Sequence, residues 1–326
     1  MTEYFLGKRE QIALCEEDTW ATLGAKTMAS NGFIVGKNAK LTPTFSKNWK
    51  EILSAGASSR DIDSMEVGDN SYAFTLEFNP TNWKFIRYCA HGSVTNTSTS
   101  PTTHTFTATD TVKSFTTEWS RRQSSAGTDH VITLTGCIIT KWVIKFAKGA
   151  GAGEGFVTVT AECLAKSAVE GSTTTTVTAI PSTEHAFQYR MAKITYAGAE
   201  VTEINNGEIS CDNGIDEQDS RYCNSTLDQA IGEPIPKVRR YTCRFNVNPK
   251  DKTYYDDWKD EAIVPSTNSL TFTRGTSPAD DCTFTFTSMY LQNPTGPTNI
   301  EGIYNLDLIG TIKSVAIVAR DAKTDY

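Results

Sequence analysis

The stretch Val131–Ser167, VITLTGCIITKWVIKFAKGAGAGEGFVTVTAECLAKS, reads as two long strands joined by a glycine-rich reversal. In its first half Ile138, Trp142, Ile144 and Phe146 share one parity, and Lys141 and Lys145 take the other. Side chains of a strand alternate between faces, so the two sets lie on opposite sides of a sheet. In the second half Val157, Val159, Ala161 and Cys163 alternate with Thr158, Thr160 and Glu162, which makes one face apolar and the other wet. The intervening Ala147–Gly155, AKGAGAGEG, suits a tight or bulged hairpin end, because glycine tolerates positive φ. No Gly-Lys-Ser/Thr follows and no helical pattern begins there, so the run is not a phosphate loop.

Composition narrows the class. At 326 residues the chain is long enough for about two domains with real cores. Its hydrophobic fraction of 38% with 10% aromatics is that of a globular protein. No run approaches the roughly 18 apolar residues of a membrane span, and the charged opening MTEYFLGKREQIALCEEDTW does not read as a signal peptide. The eight cysteines are irregularly spaced, and several fall at apolar strand positions, which points to buried thiols rather than a disulfide framework. A net charge of -7 argues against a basic groove that grips nucleic acid.

Read in order, residues 1–64 form a strand-poor opening that ends in the extended Leu41–Leu53, and Ser54–Asp69 reads as a long polar loop. Ser71–Phe78 is a strand, followed by Asn79-Pro80, a cap residue and a first-turn proline for a short helix carrying Trp83, Phe85, Ile86, Cys89 and Ala90. A Thr/Ser-rich loop over Ser93–Thr103 and a strand at Phe115–Trp119 lead into the hairpin. Val169–Ser182 is a Thr-rich linker. After it the pattern restarts: the strand Tyr241–Val247, Asn248-Pro249, a helix with Tyr254, Trp258 and Ala262, then strands at Ser269–Arg274, Asp281–Met289 and Ile303–Val318.

Tyr72-x6-Asn79-Pro80 matches Tyr241-x6-Asn248-Pro249, SFTTEWSR at Ser114 matches SLTFTRG at Ser269, and Lys166-Ser167 matches Lys313-Ser314. The expectation is a β unit of about 100 residues with a flanking short helix, present twice. It divides the chain into a first domain over 1–168, a linker over 169–182 and a second domain over 183–326.

Catalytic motifs are missing: there is no G-x-S-x-G and no HExxH. The acidic run Asp212, Asp216, Glu217 and Asp219 departs from the calcium-loop order and reads as a solvated loop. Trp83, Phe85, Tyr254, Tyr255 and Trp258 fall at helical spacing and read as helix-to-sheet packing rather than a sugar platform. Neither an enzyme nor a cofactor is indicated.

The strand, the Asn-Pro-capped helix, the strand ending in Trp119-Ser120-Arg121, the hairpin opening at Thr135-Gly136-Cys137 and the closing Ala165-Lys166-Ser167 together resemble the tail tube proteins of long-tailed bacteriophages and related archaeal viruses. Gly7-Lys8-Arg9-Glu10 and the run Gly68–Phe78 fit as well. The resemblance implies a mainly β chain of tail-tube-type sandwich or half-barrel units, whose hairpin (Trp142, Ile144, Phe146, Val157, Val159, Ala161) lines a lumen or meets a neighbouring subunit. It implies rings of three chains with pseudo-six-fold symmetry, or of six, stacked on identical rings. The ends would meet tail terminator and tail tip proteins, and viral DNA would pass through without binding. The place is the virion tail, assembled in the host cytoplasm with no membrane. Ser54–Asp69 and Gln218–Val238 are the candidate inter-ring loops. Carboxylates on the wall would repel phosphates. A β-sandwich adhesion or carbohydrate-binding module on a virion or cell surface is the competing reading.

Overall fold

The computed structural model describes residues 10–52, 64–97, 100–121, 128–149, 155–221, 231–249, 253–260, 268–275, 280–292, 305–324 and 326. The chain is mainly β. Its first part runs β1 (Glu10–Glu16), α1 (Met28–Asn31), β2 (Phe33–Ile34), β3 (Lys37–Ile52), β4 (Ser64–Asn79), α2 (Ile86–Cys89), β5 (Gly92–Thr97), β6 (Thr102–Ala108), β7 (Phe115–Arg121), β8 (His130–Ala147), β9 (Thr158–Ala165) and β10 (Ser167–Gly171). The second runs β11 (Ala192–Tyr196), β12 (Ala199–Val201), β13 (Ile204–Asp212), β14 (Arg240–Val247), α3 (Thr253–Lys259), β15 (Asn268–Thr273), β16 (Asp281–Leu291) and β17 (Leu306–Asp321). Three expectations are corrected here. The opening is not strand-poor, since β1 to β3 lie within it. Ser64–Asp69, expected as loop, extends β4, while 53–63 lie outside the described residues. Ser93–Thr103, also expected as loop, holds most of β5 and the start of β6. Thr and Ser suit a strand with one wet face as well as they suit a loop.

All described pairings are antiparallel. One series runs β2–β1–β7–β8–β9–β4–β3. The other runs β12–β11–β15–β16–β17–β14–β13. The long strands β8 and β16 each change layers midway. Residues 130–137 of β8 lie between β7 and β10, and residues 138–147 lie between β9 and β13. In β16, residues 281–286 pair with both β15 and β17, and 289–291 pair with β17 alone.

The layer change has a local cause. Gly136 sits at φ 62 and Ser288 at φ 52, each at the break between the two halves of its strand. A left-handed residue bends a strand and leaves its neighbour free to join another layer. At Gly136 the bend is fixed by buried Glu17, whose Oε1 accepts from Gly136 N–H (2.8 Å) and Thr116 Oγ1 (2.8 Å), and whose Oε2 accepts from Ala21 N–H (2.9 Å).

Between the layers lies one continuous aromatic core that includes Phe74, Phe78, Trp83, Phe115, Trp142, Phe146, Phe187, Phe272, Phe284 and Phe286, all at 2% exposure or less. Trp83 follows the first series yet packs against Phe187, Phe272 and Phe284 of the second, with ring centroids 5.1, 5.4 and 5.8 Å away. The Thr-rich segment after β10 is held against the first series: Thr174 bonds Asp129, Thr175 N–H donates to Glu118 (2.8 Å), and Val177 is buried. The seven described cysteines are unpaired and buried, and burial pushes the Cys211 and Cys243 thiols up to about 12.

A Cβ at Gly136 would meet Lys166 Cβ at 2.8 Å and Ala21 Cβ at 3.1 Å. Gly136→Ala therefore costs the left-handed penalty of about 1–2 kcal/mol plus the clash, read as a lower urea midpoint. Ser288→Gly, at the matching bend, is expected to stay within about 1 kcal/mol of wild type.

Candidate assembly interface

The structure places Trp142, Ile144, Phe146, Val157, Val159 and Ala161 inside the chain, each at 2% exposure or less. They face the outer layer and the residues around α2. The open face of the hairpin is the opposite one, with Lys141, Lys145 and Glu162 exposed and Val143, Thr158 and Thr160 half-exposed.

The expected helix caps have other work. Asn79 is the last residue of β4, and the helix starts later, at Ile86, with Phe85 as a cap that makes no side-chain bond. Residues 80–85 instead form turns that drive Trp83 and Phe85 into the core. Asn79 Nδ2 donates to Val157 O (2.9 Å) and Thr158 Oγ1 (3.2 Å), and its Oδ1 accepts from Asn38 Nδ2 (2.8 Å). It ties β4 to the start of β9. Pro80 O accepts from Phe187 N–H (3.0 Å). Asn248 Oδ1 accepts from Asn205 Nδ2 (3.0 Å), with half-buried Pro249 after it; 250–252 lie outside the described residues, and α3 is described from Thr253. Of the aromatics, Trp83 and Phe85 are core and half-buried Tyr254 packs on Tyr196 of β11 with ring centroids 5.0 Å apart, as expected for a helix against a sheet; Trp258 is half-buried, and Tyr255, 52% exposed, departs from the expectation.

Sequence reading missed the strand β13, and β13 makes the junction. Its residues pair with β8 from Asn206↔Ala147 to Asp212↔Lys141, and on their other side with β14. The polar wall thus runs unbroken through eight strands, β3–β4–β9–β8–β13–β14–β17–β16. Just beyond the ladder, Ile139 O accepts from Asn213 Nδ2 (2.9 Å) and contacts His91 Nε2 (3.0 Å), and Asn213 Nδ2 also reaches Cys89 O (3.1 Å). The two outermost strands have no strand partner on their outer edges among the described residues: β3 pairs only with β4, and residues 289–291 of β16 only with β17.

Little here is suited to chemistry. Asp212 and Asp216 cap their own turns at Gly214 and Gln218, Glu217 pairs with Arg221 (2.6 Å), and Asp219 pairs with Lys237. Among the described residues no group of three or more His, Cys, Asp or Glu is placed to hold a metal ion. No described helix is long and apolar enough to cross a membrane. A family model for phage tail tube protein matches residues 7–310. The chain belongs to that family. Membership makes this tail tube protein a structural, non-enzymatic component of the virion tail that polymerises with itself. A search of curated proteins returned no match.

His91, just after α2 of the tail tube chain, reaches β8 beside the β8–β13 junction. Its Nδ1 accepts from Lys113 N–H (3.2 Å), so the proton sits on Nε2 and is donated to Ile139 O. Burial lowers its pKa from 6.5 to about 4. The unfolded chain therefore takes up the proton first, and stability is full above pH 6.5 and falls as pH drops toward 4. The loss is on the order of 3 kcal/mol. Urea denaturation across that window should show it in wild type and a smaller pH slope in His91→Gln.

Proposed function

We propose that this tail tube protein forms rings of three chains, each supplying two quasi-equivalent wall units, and that stacked rings make the conduit through which viral DNA reaches the host. The single observation that carries the reading is the β8–β13 ladder, in which the last wall strand of one unit pairs with the first wall strand of the next.

Three features support a duplicated unit. Seven strands follow the same pairing order in each series, with α2, β5 and β6 in the first standing where α3 stands in the second. Tyr72↔Ala165 in β4–β9 corresponds to Tyr241↔Ile312 in β14–β17, at the offsets of 169 and 147 seen in the sequence. The left-handed residues Gly136 and Ser288 then fall at matching positions, opposite Lys166-Ser167 and Lys313-Ser314. On this reading the units divide at 1–168 and 183–326.

If the units are equivalent, the junction inside the chain is a template for the junction between chains. The open edge of β16 would pair with the open edge of β3 from the next chain. Closing a sheet into a barrel removes edges that would otherwise invite aggregation. On the six-fold wall that the family resemblance implies, repeated joining of unit one to unit two closes after six units and so after three chains. Rings stack on identical rings, the finished tube meets terminator and tip proteins at its ends, and assembly takes place in the host cytoplasm. Pro294 and Pro297 lie outside the described residues.

The template fixes a register. Lys141 pairs with Glu162, and Gln292 N–H donates to Ile309 O at the matching place; Asp212 pairs with Arg240, and Ser46 pairs with Ser71. Lys141↔Asp212 therefore becomes Gln292 against Ser46 of the neighbour. Asn213 N–H→Thr140 O and Lys148 N–H→Asn205 O point the even residues of β8 at β13, so this is a non-hydrogen-bonded pair. Such pairs place Cα atoms about 4.5 Å apart, within disulfide reach. Ser46→Cys combined with Gln292→Cys, oxidised in tubes verified by negative stain, should give a denaturing-gel ladder that stops at three chains. Either single variant should give none. A ladder running to six, or no cross-link in well-formed tubes, contradicts the three-chain ring.

A further inference from the structure

The offset of 169 that carries Tyr72 onto Tyr241 also carries Phe85 onto Tyr254, Ile86 onto Tyr255 and Cys89 onto Trp258. Phe85 and Tyr254 do the same work, each packing on a strand of its own unit: Phe115 of β7 at 6.4 Å between centroids, and Tyr196 of β11 at 5.0 Å. The other two pairs differ. Ile86 and Cys89 are buried at 1% and 0% exposure, whereas Tyr255 is 52% exposed and Trp258 is half-buried, the two rings lying 5.5 Å apart. What covers Cys89 is the next unit. Asn213, just past β13, donates to Cys89 O (3.1 Å), and Cys211 of β13 adds to the rise that burial gives the Cys89 thiol. Helix α2 thus closes the β8–β13 junction from the core side. On the open edge of β3 the residue standing for Cys211 is Phe45, since Cys211 pairs with Tyr241 as Phe45 pairs with Tyr72. Half-buried Phe45 meets Tyr72 edge-on at 5.7 Å. Beside it lies a groove of about 620 Å³ whose apolar lining is Phe45, Tyr72, Ile132, Ala168 and Val169, the last 60% exposed. The matching place on the second unit is filled: β6 pairs with β17 from Thr102↔Asp321 to Phe106↔Ile317, and Phe106 and Ile317 are buried. Among the described residues no strand stands between α3 and β15 to do the same for the first unit.

We propose that Tyr255 and Trp258 of α3 are an aromatic lock that seats in the groove beside Phe45 on a second copy of this chain. The inference rests on the three-chain ring proposed above, and it names the side chains that hold the junction between chains. Helix α3 packs on β16, so pairing β16 with β3 of the neighbour carries α3 over Phe45 as α2 is carried over Cys211. Size agrees with position. Ile86 and Cys89 close a junction that β5 and β6 also cover, and where that hairpin has no described counterpart two large rings stand in place of an isoleucine and a cysteine. Paired strands set the register of such a contact, while side chains in pockets select the partner. Tyr and Trp anchors in a desolvated pocket carry a large share of the energy of an interface. The lock also has one address. The place beside β17 is occupied by β6 of the same chain, so α3 fits the first unit of a neighbour and not the second.

The test places the photo-cross-linker p-benzoyl-phenylalanine at position 255, assembles tubes, images them by negative stain and irradiates them. Mass spectrometry should join residue 255 of one chain to peptides of another that carry Phe45, Tyr72 or Ala168-Val169, and the dispersed chain should give no such product. Cross-links to other surfaces in well-formed tubes, or none, overturn the proposal. Tyr255→Ala with Trp258→Ala should raise the protein concentration needed for tube formation at least about tenfold, with the urea midpoint of the dispersed chain unchanged. Tyr255→Phe with Trp258→Phe should restore most of the loss. If the double alanine variant lowers that midpoint, Tyr255→Ala alone, at the more exposed ring, should show the same effect in smaller degree. Alanine variants that assemble at the wild-type concentration overturn the proposal too. The Ser46–Gln292 cross-link, made in parallel, judges the ring by itself: where it forms and residue 255 reaches another surface, the lock alone falls, and where it does not form in well-formed tubes, the ring reading falls.

Discussion

The seven-residue ladder between Lys141–Ala147 and Asn206–Asp212 is the constraint on which the rest of the structure depends. A sheet edge is a row of unpaired donors and acceptors, and each unit here has two of them. Pairing β8 with β13 satisfies one edge from each unit and makes a single eight-strand wall. The remaining two edges, on β3 and β16, are separated by the full width of that wall. These are the two edges that the proposed ring joins between copies of the chain.

For the ladder to form, β8 must leave the outer layer and enter the wall within one strand. Gly136 permits that bend, and Glu17 holds it by accepting two backbone N–H groups and a hydroxyl in a buried site. A buried carboxylate is tolerable only when so satisfied. The core then locks the two units together: Trp83 crosses from the first into a pocket of three phenylalanines of the second, and Phe146 packs on Phe272 with centroids 5.6 Å apart. Because these rings lie under the wall, the wall's other face is left to polar residues. Packing on one side and function on the other follow from the same period-two alternation.

Much of this was legible in the sequence, and the failures have physical reasons. The hairpin of β8 and β9 was readable because Trp142, Ile144 and Phe146 alternate with Lys141 and Lys145 and the run between the strands is glycine-rich, although an irregularity between Ile139 and Lys141 puts Ile138 on the side opposite Trp142. The strands β5, β6 and β13 were not. SVTNT in β5 and INNGEIS in β13 carry Asn, Gly and Ser that read as loop, and they become strands because neighbours on a sheet supply the hydrogen bonds. Asn79-Pro80 had the right residues for a helix cap, but Asn79 is drawn into a bond with Val157 O, and the helix waits until Ile86. The six hairpin residues expected at a lumen or a neighbouring subunit are buried inside the chain, each at 2% exposure or less. The cross-strand placing of Lys141 beside Glu162 and Asp212, and of Lys145 beside Glu208, is not visible in a sum of charges over the chain. That pattern emerges only from register, which sequence alone does not fix.

The central claim is that the two units of one chain are quasi-equivalent members of one continuous wall. A helical reconstruction of assembled tubes by cryo-electron microscopy, at a resolution that separates strands, tests it most directly. The account predicts three chains per ring, eight wall strands from each, and Lys145 and Glu208 facing the lumen. Six chains per ring, with the second unit standing outside a wall made by the first alone, would contradict it.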